Sequence, residues 1–175
     1  MKLDADAFLP FSRERVFRTY RDKLVELVPF LPAVRAIEVK ERDDQPPLTR
    51  VVNVWHGGGD IPAAARAFLS QKMLSFTDRA TWDESLWTCD WRMEAHSFRE
   101  AVHAAGRNEF LEAEGGCRFL IHGELRIDGN KLPVPRFLAA SAGAAVAKFL
   151  AGVIRPNLLE TVRGVERFLA AEDAG

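Results

Sequence analysis

Residues 76–127 read FTDRATWDESLWTCDWRMEAHSFREAVHAAGRNEFLEAEGGCRFLIHGELRI. Apolar and polar side chains alternate through four runs, at about 73–83, 86–96, 103–113 and 117–128. That alternation marks strands, because successive strand side chains point to opposite faces. A short loop after Asp83, a turn centred on Arg99-Glu100 and the cluster Glu114-Gly115-Gly116 join the runs. Placing Trp82 opposite Trp87 sets Ala80 against Cys89, Asp78 against Trp91 and Phe76 against Met93. The second turn sets Met93 against Gly106, Trp91 against Asn108 and Cys89 against Phe110. The third sets Phe110 against Ile121, Asn108 against Gly123 and Gly106 against Leu125. A slip of one residue would exchange the faces, yet three separately placed turns give the same parity. One face is aromatic and aliphatic. The other carries Arg79, Thr81, Asp90, Arg92, Glu94, Arg107, Glu109, Arg118, His122, Glu124 and Arg126, the wet side of an antiparallel sheet.

Toward the N-terminus, Lys2 to Phe8 predicts a short strand. Ser12 predicts the N-cap of a helix running to about Val28, with Val16, Phe17, Tyr20, Leu24, Leu27 and Val28 as its buried stripe and Pro29 and Pro32 as its stop. Residues 34–41 and 49–55 predict two more strands, joined by the turn-like Asp43-Asp44-Gln45-Pro46-Pro47. After the flexible Gly57-Gly58-Gly59, residues 61–69 predict a short helix with Pro62 in its first turn.

Beyond Pro135 the pattern is helical to about Ala171. Its two stripes are Leu138, Ala142, Val146, Phe149, Val153 and Leu158, Val162, Val165, Leu169, with a kink expected at Pro156. Between Val134 and Ile154 only Arg136 and Lys148 are charged. A helix apolar nearly all round is buried or meets a partner. The expected role is a cover over the apolar sheet face; a homodimer face is the alternative, and membrane contact ranks last because Lys148 sits mid-segment.

The chain's 175 residues fit one domain, with 47% hydrophobic and 28% charged residues. A net charge of −1 supplies no basic field for nucleic acid, and Trp55, Trp82, Trp87 and Trp91 lack the basic surround of a base-stacking surface. Cys89 and Cys117 have no CxxC or His/Cys neighbours, which predicts free thiols and no metal. MKLDADAFLPF lacks an apolar signal core, so the expected location is cytoplasmic. No motif calls for a cofactor.

Two hydrolase-like fragments fail on order. His56-Gly57-Gly58-Gly59 copies an oxyanion loop and Ala139-Ala140-Ser141-Ala142-Gly143 a degenerate nucleophile turn. The serine follows no strand and no histidine follows it. His96 and His103 are expected opposite one another on the outer face, as a solvated pair rather than a metal site.

A curved sheet closed by one helix is a container. Along its apolar face Asp78, Trp91, Asn108 and Gly123 are expected in one row, with Glu112 near an end. Such a row offers orienting polar groups within a greasy lining. The predicted ligand-binding residues are Phe76, Asp78, Trp82, Trp87, Trp91 and Met93 on the first strands. Asn108, Phe110, Phe119, Ile121, Phe149 and Val153 complete the set. Asp78 and Asn108 would orient a polar end, and burial would raise the Asp78 pKa.

The order strand, helix, short helix or loop, six more strands and long C-terminal helix resembles the START-like helix-grip (SRPBCC) superfamily. Pro10-Phe11-Ser12, Phe30-Leu31-Pro32 leading into Val34-Arg35-Ala36-Ile37-Glu38-Val39, and Gly123-Glu124-Leu125 carry the resemblance. It implies an α+β fold in which a seven-stranded antiparallel sheet grips the C-terminal helix around a hydrophobic cavity, with two short helices between strands 1 and 4. The superfamily shares no catalytic residues, so the resemblance carries over no active site. The expected function is a non-catalytic carrier for a hydrophobic, lipid-like or aromatic small molecule. The alternatives are an aromatase/cyclase or hydratase using Asp78 as base, and a structural domain whose interior is filled by side chains.

Overall fold

The computed structural model describes residues 1–58, 74–97, 99–131 and 136–175, with backbone alone at 138–143, 145–151 and 153–156. Seven strands form one antiparallel sheet: β1 (Lys2–Leu9), β2 (Val34–Gln45), β3 (Leu48–Gly57), β4 (Ser75–Asp83), β5 (Thr88–Ala95), β6 (Val102–Ala113) and β7 (Gly116–Ile127). Their spatial order is β1-β7-β6-β5-β4-β3-β2. Helix α1 (Arg13–Asp22) follows β1, and helix α2 (Ala139–Ala174) closes the chain. The short helix expected at residues 61–69 lies outside the described residues.

Helix α1 starts where the sequence places it: the Ser12 Oγ accepts the Arg15 N–H at 3.3 Å. It ends six residues earlier than expected. Lys23 caps it, and Pro29 falls in the 3-10 turn Val28–Phe30. Residues 24–27 form turns between the two, with the Leu27 N–H donating to the Lys23 carbonyl at 3.1 Å. Leu24, Leu27 and Leu31 are buried all the same, from turns rather than from a helix face. Strands β2 and β3 outrun their predicted length. Asp43 and Asp44 extend the ladder, tied down by Arg50 and Arg42, and only Pro46 and Pro47 turn between Gln45 and Leu48.

The two sheet faces match the expected parity. Leu3, Ala5, Val51, Ala80, Trp82, Cys89, Trp91, Phe110, Phe119, Ile121 and Leu125 are buried, while Arg79, Arg92, Arg107, Arg118 and Arg126 are exposed. The C-terminal half of α2 completes the core with Val162, Val165, Phe168 and Leu169. Its Phe168 meets Phe30 edge-on, with ring centroids 5.6 Å apart. Arg15 reaches Asp173 at 2.6 Å, fastening α1 to the end of α2. Helix α2 runs continuously through Pro156.

Candidate functional site

Parity is right, but each predicted register is displaced by two residues. Trp82 pairs with Cys89, Ala80 with Trp91, Asp78 with Met93 and Phe76 with Ala95. Cys89 pairs with Asn108, Trp91 with Gly106 and Met93 with Ala104. Phe110 pairs with Phe119, Asn108 with Ile121 and Gly106 with Gly123. The first turn is four residues, Glu84–Trp87, so Trp87 leaves the strand at φ 56°. A two-residue shift preserves every face and changes every row. The expected row Asp78-Trp91-Asn108-Gly123 is therefore split across three rows.

One end of the inner face is filled by α1. Phe17 meets Trp82, Trp87 and Phe110 edge-on at 5.2, 5.3 and 5.2 Å, and Phe110 stacks on Phe119 at 4.5 Å. Tyr20 packs against Trp82 and Phe119. Trp87 is sandwiched between Phe17 and the Arg13 guanidinium, which sits 4.6 Å from its ring. Glu112 pairs with Arg13 at 3.1 Å and is exposed.

The middle of the face belongs to Trp91. Its indole lies flat over Gly106 and Gly123: a Cβ on Gly106 would fall 2.5 Å from Trp91 Cζ2, and one on Gly123 would fall 2.7 Å from Cη2. The gap the sequence suggested at Gly123 is thus the seat of an indole. Trp91 Nε1 donates to Asn108 Oδ1 at 2.9 Å, which engages the amide expected to orient a ligand.

The far end holds the unsettled chemistry. Asp78 faces Asn53 across β3 and β4, and Trp55 stacks on Phe76 one row on, with centroids 5.7 Å apart. Burial pushes the Asp78 carboxyl up to about 7, and loose hydrogen bonding from the adjacent Asn53 and Trp55 side chains opposes the rise. None of these contacts reaches full hydrogen-bond geometry at Asp78 Oδ1, at the Trp55 Nε1–H or at Asn53 Oδ1. Tyr20 and Cys89 are also raised, by burial first and by the Asp78 charge second. Each of these three acids is therefore driven toward its neutral form. Met93 borders the group in the Asp78 row. Phe149 and Val153 lie among the residues whose side chains are not described.

Sequence reasoning passed over Asn53 and read Trp55 as core or pocket lining without placing it in the binding set. In Val51-Val52-Asn53-Val54-Trp55 valines occupy both parities, which hides the inward face. Only the pairing of β3 with β4 brings these residues to Asp78.

The outer face holds a second unpredicted group. His56 Nε2 lies 2.8 Å from Glu38 Oε1 and its Nδ1 lies 3.1 Å from Ser75 Oγ. This has the connectivity of an acid-histidine-serine relay. Ser75 is buried, however, and the Gly58 N–H donates to the Ala33 carbonyl at 2.8 Å. The group braces three strands and has neither an open nucleophile nor a free Gly58 donor for an oxyanion. His96 and His103 do not pair. His103 sits opposite Glu94, while His96 Nε2 meets Thr77 Oγ1 at 2.9 Å. A polar depression of about 240 Å³ lies beside them, lined by Thr77, Arg79, Glu94, Ala95, His96 and Arg99. Among the described residues no cluster could hold a metal ion, and no helix is long and apolar enough to cross a membrane.

Sheet order, the α1 insertion and the gripping C-terminal helix define the START-like helix-grip fold. Solved structures share it along nearly the whole chain. The protein TTHA0849 from Thermus thermophilus is 20% identical with a TM-score of 0.70, covering 98% of this chain and 99% of its own. The Zhui aromatase/cyclase from Streptomyces sp. R1128 is 11% identical with a TM-score of 0.66, over 95% and 91%. Ara h 8.0201 is 16% identical with a TM-score of 0.57, over 98% of each. No family model and no curated protein matches the sequence.

Proposed function

We propose that the protein binds a hydrophobic, lipid-like or aromatic small molecule between the inner sheet face and α2, at the end marked by Trp55, Phe76, Asp78 and Met93. The observation that carries this reading is the cluster of Asn53, Trp55 and Asp78, buried on a largely apolar face, each with one polar atom short of full hydrogen-bond geometry. Native interiors satisfy nearly all such atoms, and ligand sites combine apolar lining with a few convergent polar groups. The aromatic end under α1 is interlocked, so the guest belongs at the Asp78 end. Likeness in fold to an aromatase/cyclase and to Ara h 8.0201 fits this reading without specifying the ligand.

Intrinsic tryptophan fluorescence titrated with a panel of fatty acids and polycyclic aromatics tests the proposal. Saturable shifts are expected, because Trp55 borders the site; a flat response across the panel refutes it. Native mass spectrometry of the purified chain would detect a co-purified guest and count subunits.

A second reading is favoured by one observation. A buried carboxyl poised at about 7 is matched to moving a proton at neutral pH. An aromatase/cyclase-like or hydratase-like enzyme would use Asp78 in that way. Turnover of a poly-β-ketone substrate that survives Asp78→Ala would exclude it.

A further inference from the structure

We propose a second binding site, on the outer face of the sheet, that takes a phosphoryl group, whether on a soluble phosphate or on a lipid headgroup. It is independent of the inner site. The site is the depression of about 240 Å³ lined by Thr77, Arg79, Glu94, His96 and Arg99. Strands β4 and β5 form its floor, with Thr77 opposite Glu94 and Arg79 opposite Arg92.

The charge count selects an anion. Arg79 and Arg92 face each other directly across a strand pair, an arrangement that costs stability when nothing negative lies between them. Elsewhere on that face arginines meet acids. Arg107 faces Asp90 at 2.6 Å, Arg118 pairs with Asp6 and Arg126 with Glu124. At the depression three arginines share one carboxylate. Glu94 lies 3.1 Å from Arg99 Nη2 and 3.9 Å from Arg79 Nε, and Arg92 has no ion pair among the described residues. Two positive charges are left over, in a chain whose net charge is −1. Asp60 is the one carboxylate among the residues whose side chains are not described, so those residues cannot cancel both charges.

The donors select the phosphoryl group. A guanidinium presents five N–H donors in a rigid fork, and the contacts to Glu94 leave most of those on Arg79 and Arg99 free. Both side chains are open to solvent, at 51% and 73% exposure. Such forks match the paired oxygens of a phosphoryl group. Thr77 Oγ1 lies 2.9 Å from His96 Nε2; when the imidazole donates, the hydroxyl proton is free for a phosphate oxygen. A phosphoryl dianion carries a charge of about −2 near neutral pH, which balances the surplus. A carboxylate offsets half of it and offers two oxygens to three arginines.

Proton–nitrogen correlation NMR of the full chain tests the site, with inorganic phosphate, phenyl phosphate and acetate titrated in low salt at about pH 8, where the phosphoryl group is a dianion. Both phosphates should give saturable shifts confined to residues 77–79, 92–96 and 99, with dissociation constants of about 1 mM or below and acetate about tenfold weaker. The double variant Arg79→Gln/Arg99→Gln should bind phosphate about tenfold more weakly or worse. Arg118→Gln, elsewhere on the same face, should bind it as the wild type does, with folding of both variants checked by circular dichroism. Four results each overturn the site: no saturation, equal shifts around Arg107 and Arg118, acetate matching phosphate, or full affinity in the double variant. Sedimentation with phosphatidylcholine vesicles separates the two sources of the group. Binding that requires added phosphatidic acid and fails in the double variant supports a lipid headgroup. Saturable phenyl phosphate binding without sedimentation supports a soluble monoester. The fluorescence panel reads the inner site separately, so either site can fail without the other.

Discussion

Asp78→Asn should convert a pH-dependent cost of folding into a constant one. The carboxyl has an ordinary value of 3.8 and rises to about 7 in the folded chain. The folded state therefore holds the proton more tightly than the unfolded state. Between those values the unfolded chain is ionised while the folded chain is still protonated, so stability falls as pH rises, at about 1.4 kcal/mol per pH unit. Across the full interval the loss amounts to roughly 4 kcal/mol, and between pH 5 and pH 8 to between about 2 and 3 kcal/mol. Other carboxylates act in the opposite direction. Asp22, held low by Arg21 and Arg42 although burial opposes them, loses stability as pH falls through its folded value. The raw curve of the wild type is consequently a mixture, and the comparison with Asp78→Asn isolates the one group. Urea unfolding of both proteins at half-unit steps from pH 5 to pH 8 supplies it. The variant should gain on the wild type up to about pH 7 and level off above it, by between about 2 and 3 kcal/mol in all. A difference independent of pH would show that Asp78 reaches water in the folded state, and the case for a buried, poised carboxyl would end there.

Three further outcomes follow from the packing. Gly106→Ala should destabilise by about 1–3 kcal/mol in urea unfolding and by more than Gly123→Ala, since its Cβ would strike the His122 carbonyl and Gly123 Cα as well as the Trp91 ring; equal, negligible costs would mean the indole is not seated there. Trp91→Phe removes the donor to Asn108 Oδ1 and should cost about 1–3 kcal/mol beyond the lost ring area, with Trp91→Phe/Asn108→Leu recovering part of it in the same assay. Phe17→Ala should cost about 3–5 kcal/mol in thermal or urea unfolding, because three aromatic rings lose their common partner.

The fold was legible because it rests on local periodicity. Alternation through β4 to β7 assigned inward and outward residues, and Ser12 announced α1. Phe17, Tyr20 and Leu27 read as inward-facing before any partner was known. What a period of two cannot carry is the count of residues in a turn. Moving a hairpin by two residues leaves each face unchanged, so the pattern is blind to it, and Asn108 met Trp91 through a hydrogen bond between offset rows rather than as a direct pair. Asp78 stood out as a carboxylate on an apolar face. Its companions Asn53 and Trp55 did not, because the chain between β3 and β4 gives no local measure of how those strands align. Sequence by itself determined the sheet, its wet and dry sides and the apolar helix that follows, since each is set by side chains a few residues apart. Only the tertiary structure decided which end of the dry side is packed solid by α1 and which end keeps polar atoms short of full hydrogen-bond geometry. Those outcomes depend on contacts between residues far apart in the chain, where hydrophobic pattern fixes burial but not register.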